Sequence, residues 1–344
     1  MEPYEVGLMT NIERLFDKEY EGFCYQNCIR EILNYYQCAE FDFYINMSLS
    51  TRMVIQGEEY YICYDKKANG IITSELDKVH RKDDERDGQV VLDENLRRVT
   101  EGYPIITCVD GYYLRYFSYF KEKHCRHNLI LTGKGTSDNV TVLDWYTPHF
   151  YCGEIARDEF LMARESTNPD DGSIYSGSPI RNNWAIIERD GWNQHREDLI
   201  YENLSLSLIQ YFPLDSREKN ILYGVRVYQK IRDELSQIVF LEQKVRCTKL
   251  RYAHKELYQS VKRKYLFSYF LKQIREKVNR NLVAEVIEYM QDLIVGWEKF
   301  MTVLLKCSFR GKVTDIKKLG DMLALLIDKE EGLYDHVLYI RNNL

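Results

Sequence analysis

The chain has 344 residues, of which 45% are hydrophobic and 29% charged, with a formal net charge of −6. That length exceeds one ordinary domain of ~100–200 residues and predicts two, each burying its own core. The composition excludes a disordered, collagenous or low-complexity protein. The acidic balance argues against nucleic-acid binding, which needs a basic excess to neutralise phosphate.

No apolar run reaches the ~18–20 residues that span a bilayer, and residues 1–11 carry two glutamates and no basic, apolar leader. The expectation is a cytoplasmic protein with no membrane partner. Nine cysteines, an odd count without regular spacing or a CxxC pair, predict free thiols rather than a disulfide framework or a zinc site.

In chain order, residues 11–16 and 25–36 show helical periodicity. Residues 53–64 read as a strand or hairpin bending at Gly57, and 92–100 as another helix. Residues 105–109, 127–132, 140–144 and 184–188 are strand-like, rich in β-branched and aromatic side chains. Thirteen of the 18 glycines and five of the six prolines fall within residues 1–191, and the texture then changes to long 3.6-periodic stretches. Residues 221–241 and 266–278 are helical by pattern. Val283, Ile287, Met290, Ile294, Trp297, Met301 and Leu304 form a core-facing stripe. Breaks are expected at residues 308–312 and 328–332, on either side of a further helix. The prediction is an α+β domain over 1–192, helices packed on an antiparallel sheet, followed by an all-α helical domain over 193–344.

Cys24 stands at the start of the first periodic helix, where Ile29, Ile32, Leu33 and Tyr36 face inward. The positive end of a helix dipole and its unpaired N–H groups favour a thiolate and offer oxyanion donors. Taken alone, most free cysteines are small buried hydrophobes, and Cys28, one turn further in, reads that way. A nucleophilic cysteine needs a base, which near neutral pH histidine supplies. A hairpin with a loop over residues 134–137 would pair Gly133 with Asp138 and set His127 directly opposite Asp144. An aspartate there fixes the imidazole tautomer and frees the other ring nitrogen for the thiol proton. A strand-end histidine alone is more often a surface or capping residue; the opposed aspartate is what singles out His127. His124, three residues earlier, is the rival base.

The segment from Cys24 to Tyr36, residues 102–114 with Asp110 and Tyr113, His124 to His127, and Asp144 together resemble the butirosin biosynthesis protein H N-terminal family. The likeness covers roughly residues 20–165. It implies a papain-like cysteine-peptidase fold turned to acyl transfer, in which an acyl group leaves an acyl carrier protein for an amine. Carried over by position, Cys24 is the nucleophile, His127 the base and Asp144 the orienting acid. Asp110 and Tyr113 match a family segment of unassigned role and are pocket-forming at best, and with His124 and Gln26 they are the substrate-binding candidates. Papain-like peptidases place an oxyanion glutamine shortly before the cysteine, but residues 17–22 hold none. Gln26 could supply a donor only if the helix starts late.

Residues 244–280 hold twelve Lys or Arg and two Glu, a local balance of +10 against −16 for the other 307 residues. That stretch is either a solvated helix face or a docking surface for an acidic carrier protein. The reading is an acyltransferase that moves an aminoacyl or peptidyl group from a carrier thioester through Cys24 to a small amine acceptor, in antibiotic-type biosynthesis. No cofactor is bound, and the phosphopantetheine belongs to the donor. The alternatives are a papain-like cysteine hydrolase and a silent carrier-binding scaffold.

Overall fold

The computed structural model describes residues 15, 17–57, 59–63, 70–146, 149–211, 220–275 and 280–344, so the helix expected over 11–16 lies outside them but for Leu15. In chain order the elements are α1 (Cys24–Tyr35), β1 (Arg52–Gln56), β2 (Glu59–Cys63), β3 (Val79–Lys82), α2 (Gly88–Thr100), β4 (Ile105–Asp110), β5 (Arg126–Lys134), β6 (Asn139–Tyr146), β7 (His149–Ala156), α3 (Arg157–Glu165), β8 (Trp184–Ile187), α4 (Arg196–Tyr211), β9 (Ile221–Tyr223), α5 (Val225–Ile238), α6 (Gln243–Ile274), α7 (Arg280–Arg310) and α8 (Val313–Asn342). They divide into two compact units, one of residues 1–45 and 70–193, the other of 46–69 and 194–344.

In the first unit, β3, β8, β4, β5, β6 and β7 form an antiparallel sheet in that spatial order. Side chains alternate between its faces. Ile105, Val109, Leu129, Leu131, Val140 and Val142 turn one way, where Leu92 and Leu96 of α2 and Phe160 and Ala163 of α3 close over them. Cys108 and Asn128, which alternate with Val109 and Leu129, turn the other way. That face receives α1, which packs on β4, β5 and β6 with Cys28, Ile29, Ile32 and Leu33 buried in one stripe.

Each such aliphatic contributes ~1.5–3 kcal/mol on burial, and this stripe, rather than a cap, holds α1. Phe23, which precedes it, makes no side-chain hydrogen bond to the first turn. The contrast is α2, which begins at Gly88, earlier than its apolar pattern suggests. There the Asp87 side chain accepts from the N–H groups of Gln89 at 2.9 Å and Val90 at 3.3 Å, a cap worth ~1 kcal/mol.

The second unit departs from the expected all-α domain in one respect: it contains a small antiparallel sheet, ordered β2-β1-β9. The β1–β2 hairpin bends at Gly57 as expected, and β1 then pairs along its other edge with β9. That pairing draws residues 46–69 out of the N-terminal half, so the division is not the contiguous 1–192 and 193–344. Gly224 separates β9 from α5, so residues 221–241 are not one helix. Its φ is +50°, and a Cβ there would lie 1.6 Å from the Tyr211 carbonyl oxygen, a position only glycine can occupy.

The stripe from Val283 to Leu304 is buried throughout α7 as expected. The break after α7 falls at Gly311, but α8 runs unbroken through residues 328–332. Gly332 is there for packing: a Cβ on it would stand 2.7 Å from the Tyr289 hydroxyl.

The basic stretch is partly internal. Arg263 and Lys264 are buried, the first donating to the Asn46 carbonyl at 2.8 Å. The Lys264 ammonium lies 2.8 Å from Glu330, donates to Tyr211 and Tyr228 at 3.1 and 3.0 Å, and sits over the Trp297 ring. These two cations hold α6 in its unit and are not available to a partner, whereas Lys244, Lys249 and Arg251 are exposed. No helix among the described residues is long and apolar enough to cross a membrane.

Candidate active site

Cys24 is the first residue of α1 and is half-buried. The first hydrogen bond of the helical ladder runs from Asn27 N–H to the Phe23 carbonyl at 2.9 Å, so the Cys24 N–H stands outside the ladder. With no side-chain cap and no acidic residue in the first turn, the positive end of the helix dipole is left to the thiol.

His127 is the second residue of β5 and is buried. Its Nε2 lies 2.5 Å from Asp144 Oδ1, and the other carboxylate oxygen accepts from the Tyr116 hydroxyl at 2.6 Å. With Nε2–H donated to the carboxylate, Nδ1 is the nitrogen left for the hydrogen bond with Cys24. Phe117 meets the imidazole edge-on at 5.3 Å, and Tyr116 stacks flat on Tyr151 at 3.9 Å. These rings fix the His127 and Asp144 side chains from the side of α3.

Two opposing effects set the thiol. Burial alone would push it up, but the His127 charge, the His127 hydrogen bond and the side-chain and backbone N–H groups of Asn128 together hold Cys24 below its ordinary value. His127 is the mirror case. Burial pulls it down, yet the charges of Asp144 and Cys24 and their hydrogen bonds raise it well above the usual imidazole range. Both directions favour a thiolate–imidazolium pair.

The hairpin that joins His127 to Asp144 has a different register from the expected one. The loop turns over residues 135–138, with Ser137 and Asp138 at φ +48° and +70°, and Lys134 pairs with Val140. Between Gly133↔Thr141 and Leu131↔Val142 one extra residue, Thr132, is inserted in β5. Counting on from Ile130↔Leu143, Asp144 falls opposite Leu129, two positions from His127, so the pair is diagonal rather than directly opposed. An offset of two keeps both side chains on one face, whereas an odd offset would separate them. Continued without the insertion, the loop register would have been odd. The bulge at Thr132 therefore aims His127 at Asp144.

Asp110, His124 and Tyr113 form a second group. The buried Asp110 carboxylate accepts from His124 Nδ1 at 2.7 Å, Ser166 Oγ at 2.6 Å, and the N–H groups of Cys125 and Tyr112 at 3.0 and 3.1 Å. Tyr112 stacks on the His124 ring at 4.2 Å, and Tyr113 approaches its edge at 6.5 Å. His124 thus has its own carboxylate and is not the partner of Cys24. Gln26 does not serve as the late-starting helix would have allowed. The helix begins at Cys24, so Gln26 lies two residues into the first turn, on a different side of α1. Its side chain is buried.

Two residues escaped the sequence reading. Asn128 Nδ2 donates to Cys24 Sγ at 3.4 Å. Strand alternation sends it to the face opposite His127, which is the face α1 covers, so its adjacency to His127 was the available signal. Tyr116 lies in the loop before β5, with no periodicity to mark it. Among the described residues no group of three or more His, Cys, Asp or Glu side chains could hold a metal ion. Compared with known proteins, the chain matches no family model and no curated protein.

Proposed function

We propose that the protein is a cysteine acyltransferase of papain-like fold, with Cys24 as nucleophile, His127 as proton carrier and Asp144 as the group that orients it. The observation that carries this reading is the hydrogen-bonded series from His127 through Asp144 to Tyr116, placed beside the Cys24 thiol, which the neighbouring Asn128 Nδ2 reaches at 3.4 Å and which the His127 charge holds below its ordinary value. The likeness of residues 20–165 to the butirosin biosynthesis protein H N-terminal family supports a carrier-bound thioester as donor and an amine as acceptor.

The Cys24 thiolate attacks the thioester carbonyl, forming an S–C bond as the π pair moves onto oxygen. Collapse expels the donor thiolate, which takes the proton of the His127 imidazolium. The acceptor amine then attacks the acyl-enzyme and gives its proton to His127, and collapse of this second adduct releases Cys24 as thiolate. Asp144 keeps the Nε2–H tautomer throughout, so Nδ1 faces the reacting atoms. On this reading Asp110, His124 and Tyr113 contact the substrate, and the exposed cations of the 244–280 stretch are the candidates for steering an acidic carrier.

The competing reading is hydrolysis, with water in place of the amine. Acceptor competition separates the two. With a small acyl thioester as donor, added amine should collect the acyl group as amide while donor consumption holds steady or rises. Free acid as the sole product at saturating amine would favour the hydrolase.

A further inference from the structure

The first tetrahedral adduct places a negative charge on oxygen one bond from the reacting carbon, and an enzyme of this kind needs hydrogen-bond donors there. Residues 17–22 hold no glutamine, and because α1 already begins at Cys24, Gln26 lies inside its first turn. We propose that Asn128 supplies the side-chain donor: its amide and the backbone N–H of Cys24 make up the oxyanion hole. This rests on the acyl-transfer reading of the same site and assigns the group that stabilises its transition state.

Three observations converge. Asn128 Nδ2 donates to Cys24 Sγ at 3.4 Å in the resting state, so the amide already points at the atom beside which the oxyanion develops. The Cys24 N–H lies outside the helical ladder, at the uncapped, acid-free start of α1. Consecutive residues of an extended strand project to opposite faces, so His127 and Asn128 approach the sulfur from two sides. One manages the proton, and the other is free to follow the charge from sulfur to oxygen. A residue that moved protons could not also serve as a fixed dipole, and the alternation of β5 divides the two tasks between neighbours.

The test compares two reactions of the same thiol in the full-length protein. Alkylation by iodoacetamide attacks a saturated carbon and generates no oxyanion, whereas acylation by S-acetyl-N-acetylcysteamine does. Both are followed at Cys24 by peptide mass mapping, at a pH above the thiol titration so that thiolate population is not limiting. In Asn128→Ala the acylation rate should fall ~10²–10³-fold, the usual loss for one oxyanion donor, while alkylation changes by less than about threefold. Asn128→Leu, which keeps the branching of asparagine at Cγ but has no donor, should show the same selective loss and guards against a folding defect of the alanine variant. If the two rates fall together, Asn128 acts on the thiolate alone and the assignment is overturned. If neither falls, it is likewise overturned. A wild-type Cys24 that alkylates rapidly but never acylates would overturn the acyl-transfer reading itself, an outcome distinct from either of those.

Discussion

The link between His127 and Asp144 can be tested by removing one charge. In Asp144→Asn the side chain keeps its volume, but the carboxylate 2.5 Å from His127 Nε2 becomes a neutral amide. A hydrogen bond to a charged group is worth ~1.5–3 kcal/mol net. At 1.36 kcal/mol per decade that is ~10–150-fold in the population of the imidazolium–thiolate pair. Wild-type His127 is raised, and Cys24 lowered, in part by each other's charge, so weakening the imidazolium moves the thiol back up. The assay is the pH profile of iodoacetamide alkylation, resolved at Cys24 by mass mapping. The variant's rate at pH 6 should fall by ~10–150-fold, its midpoint should move up by ~1–2 pH units, and at pH 10 it should match wild type. An unchanged rate at pH 6 would refute the coupling. An equal loss at every pH would show that access to the thiol, rather than its ionisation, had changed.

Other consequences follow from the same geometry. Tyr116→Phe removes one donor from Asp144 but leaves the carboxylate, so alkylation of Cys24 at pH 6 should fall less than in Asp144→Asn, by up to ~10-fold. In the second unit, Lys264→Met leaves Glu330 buried without its cation and should cost ~3–5 kcal/mol in urea unfolding. Pairing it with Glu330→Gln should recover much of that loss, and a single-variant cost below ~1 kcal/mol would contradict the ion pair. Burial pushes the Glu31 carboxyl up to about 8, against the Arg30 charge and the Leu15 N–H that pull it down. Its folded pKa exceeds its unfolded value, so the associated stability is complete below pH ~4.5 and is lost as the pH rises through about 8. Glu31→Gln should therefore gain on wild type between pH 5 and 9, by up to several kcal/mol at ~1.4 kcal/mol per unit. Parallel stability–pH curves for the two proteins would overturn this.

The residues of the site were legible in the sequence where local chemistry marks them. Cys24 is set by the onset of apolar periodicity at the head of α1, and His127 and Asp144 by their spacing across a hairpin. The register of that hairpin was not legible, because a turn with Ser137 and Asp138 in the left-handed region moves the partner of Gly133 three positions, from Asp138 to Thr141, and the inserted Thr132 takes one of them back within the strand, a net shift of two. The two deviations leave the pair on one face, so the correct association came from an incorrect ladder. Asn128 and Tyr116 were missed for a different reason: each reaches the site through tertiary packing, one across to α1, with only its adjacency to His127 to mark it, and the other from an irregular loop. In the second unit, the 3.6-residue period exposed the long helices. A three-residue strand such as β9 has too few residues for a period to register, yet it pairs with β1 and, with the hydrogen bonds that join Met47 and Leu49 to α4 and Asn46 to α6, ties that segment to the second unit. Gly332 shows the limit of reading glycine as punctuation, since there it admits a neighbouring tyrosine hydroxyl into a continuous helix.

The most direct test of the account is to capture the acyl group on the enzyme. Incubation of the full-length protein with S-acetyl-N-acetylcysteamine, acid quenching and mass mapping should find one acetyl group, on the peptide containing Cys24 and bound as a hydroxylamine-labile thioester. Cys24→Ala should show none. Acetylation shared evenly among the exposed thiols, or retained in full by Cys24→Ala, would contradict the account.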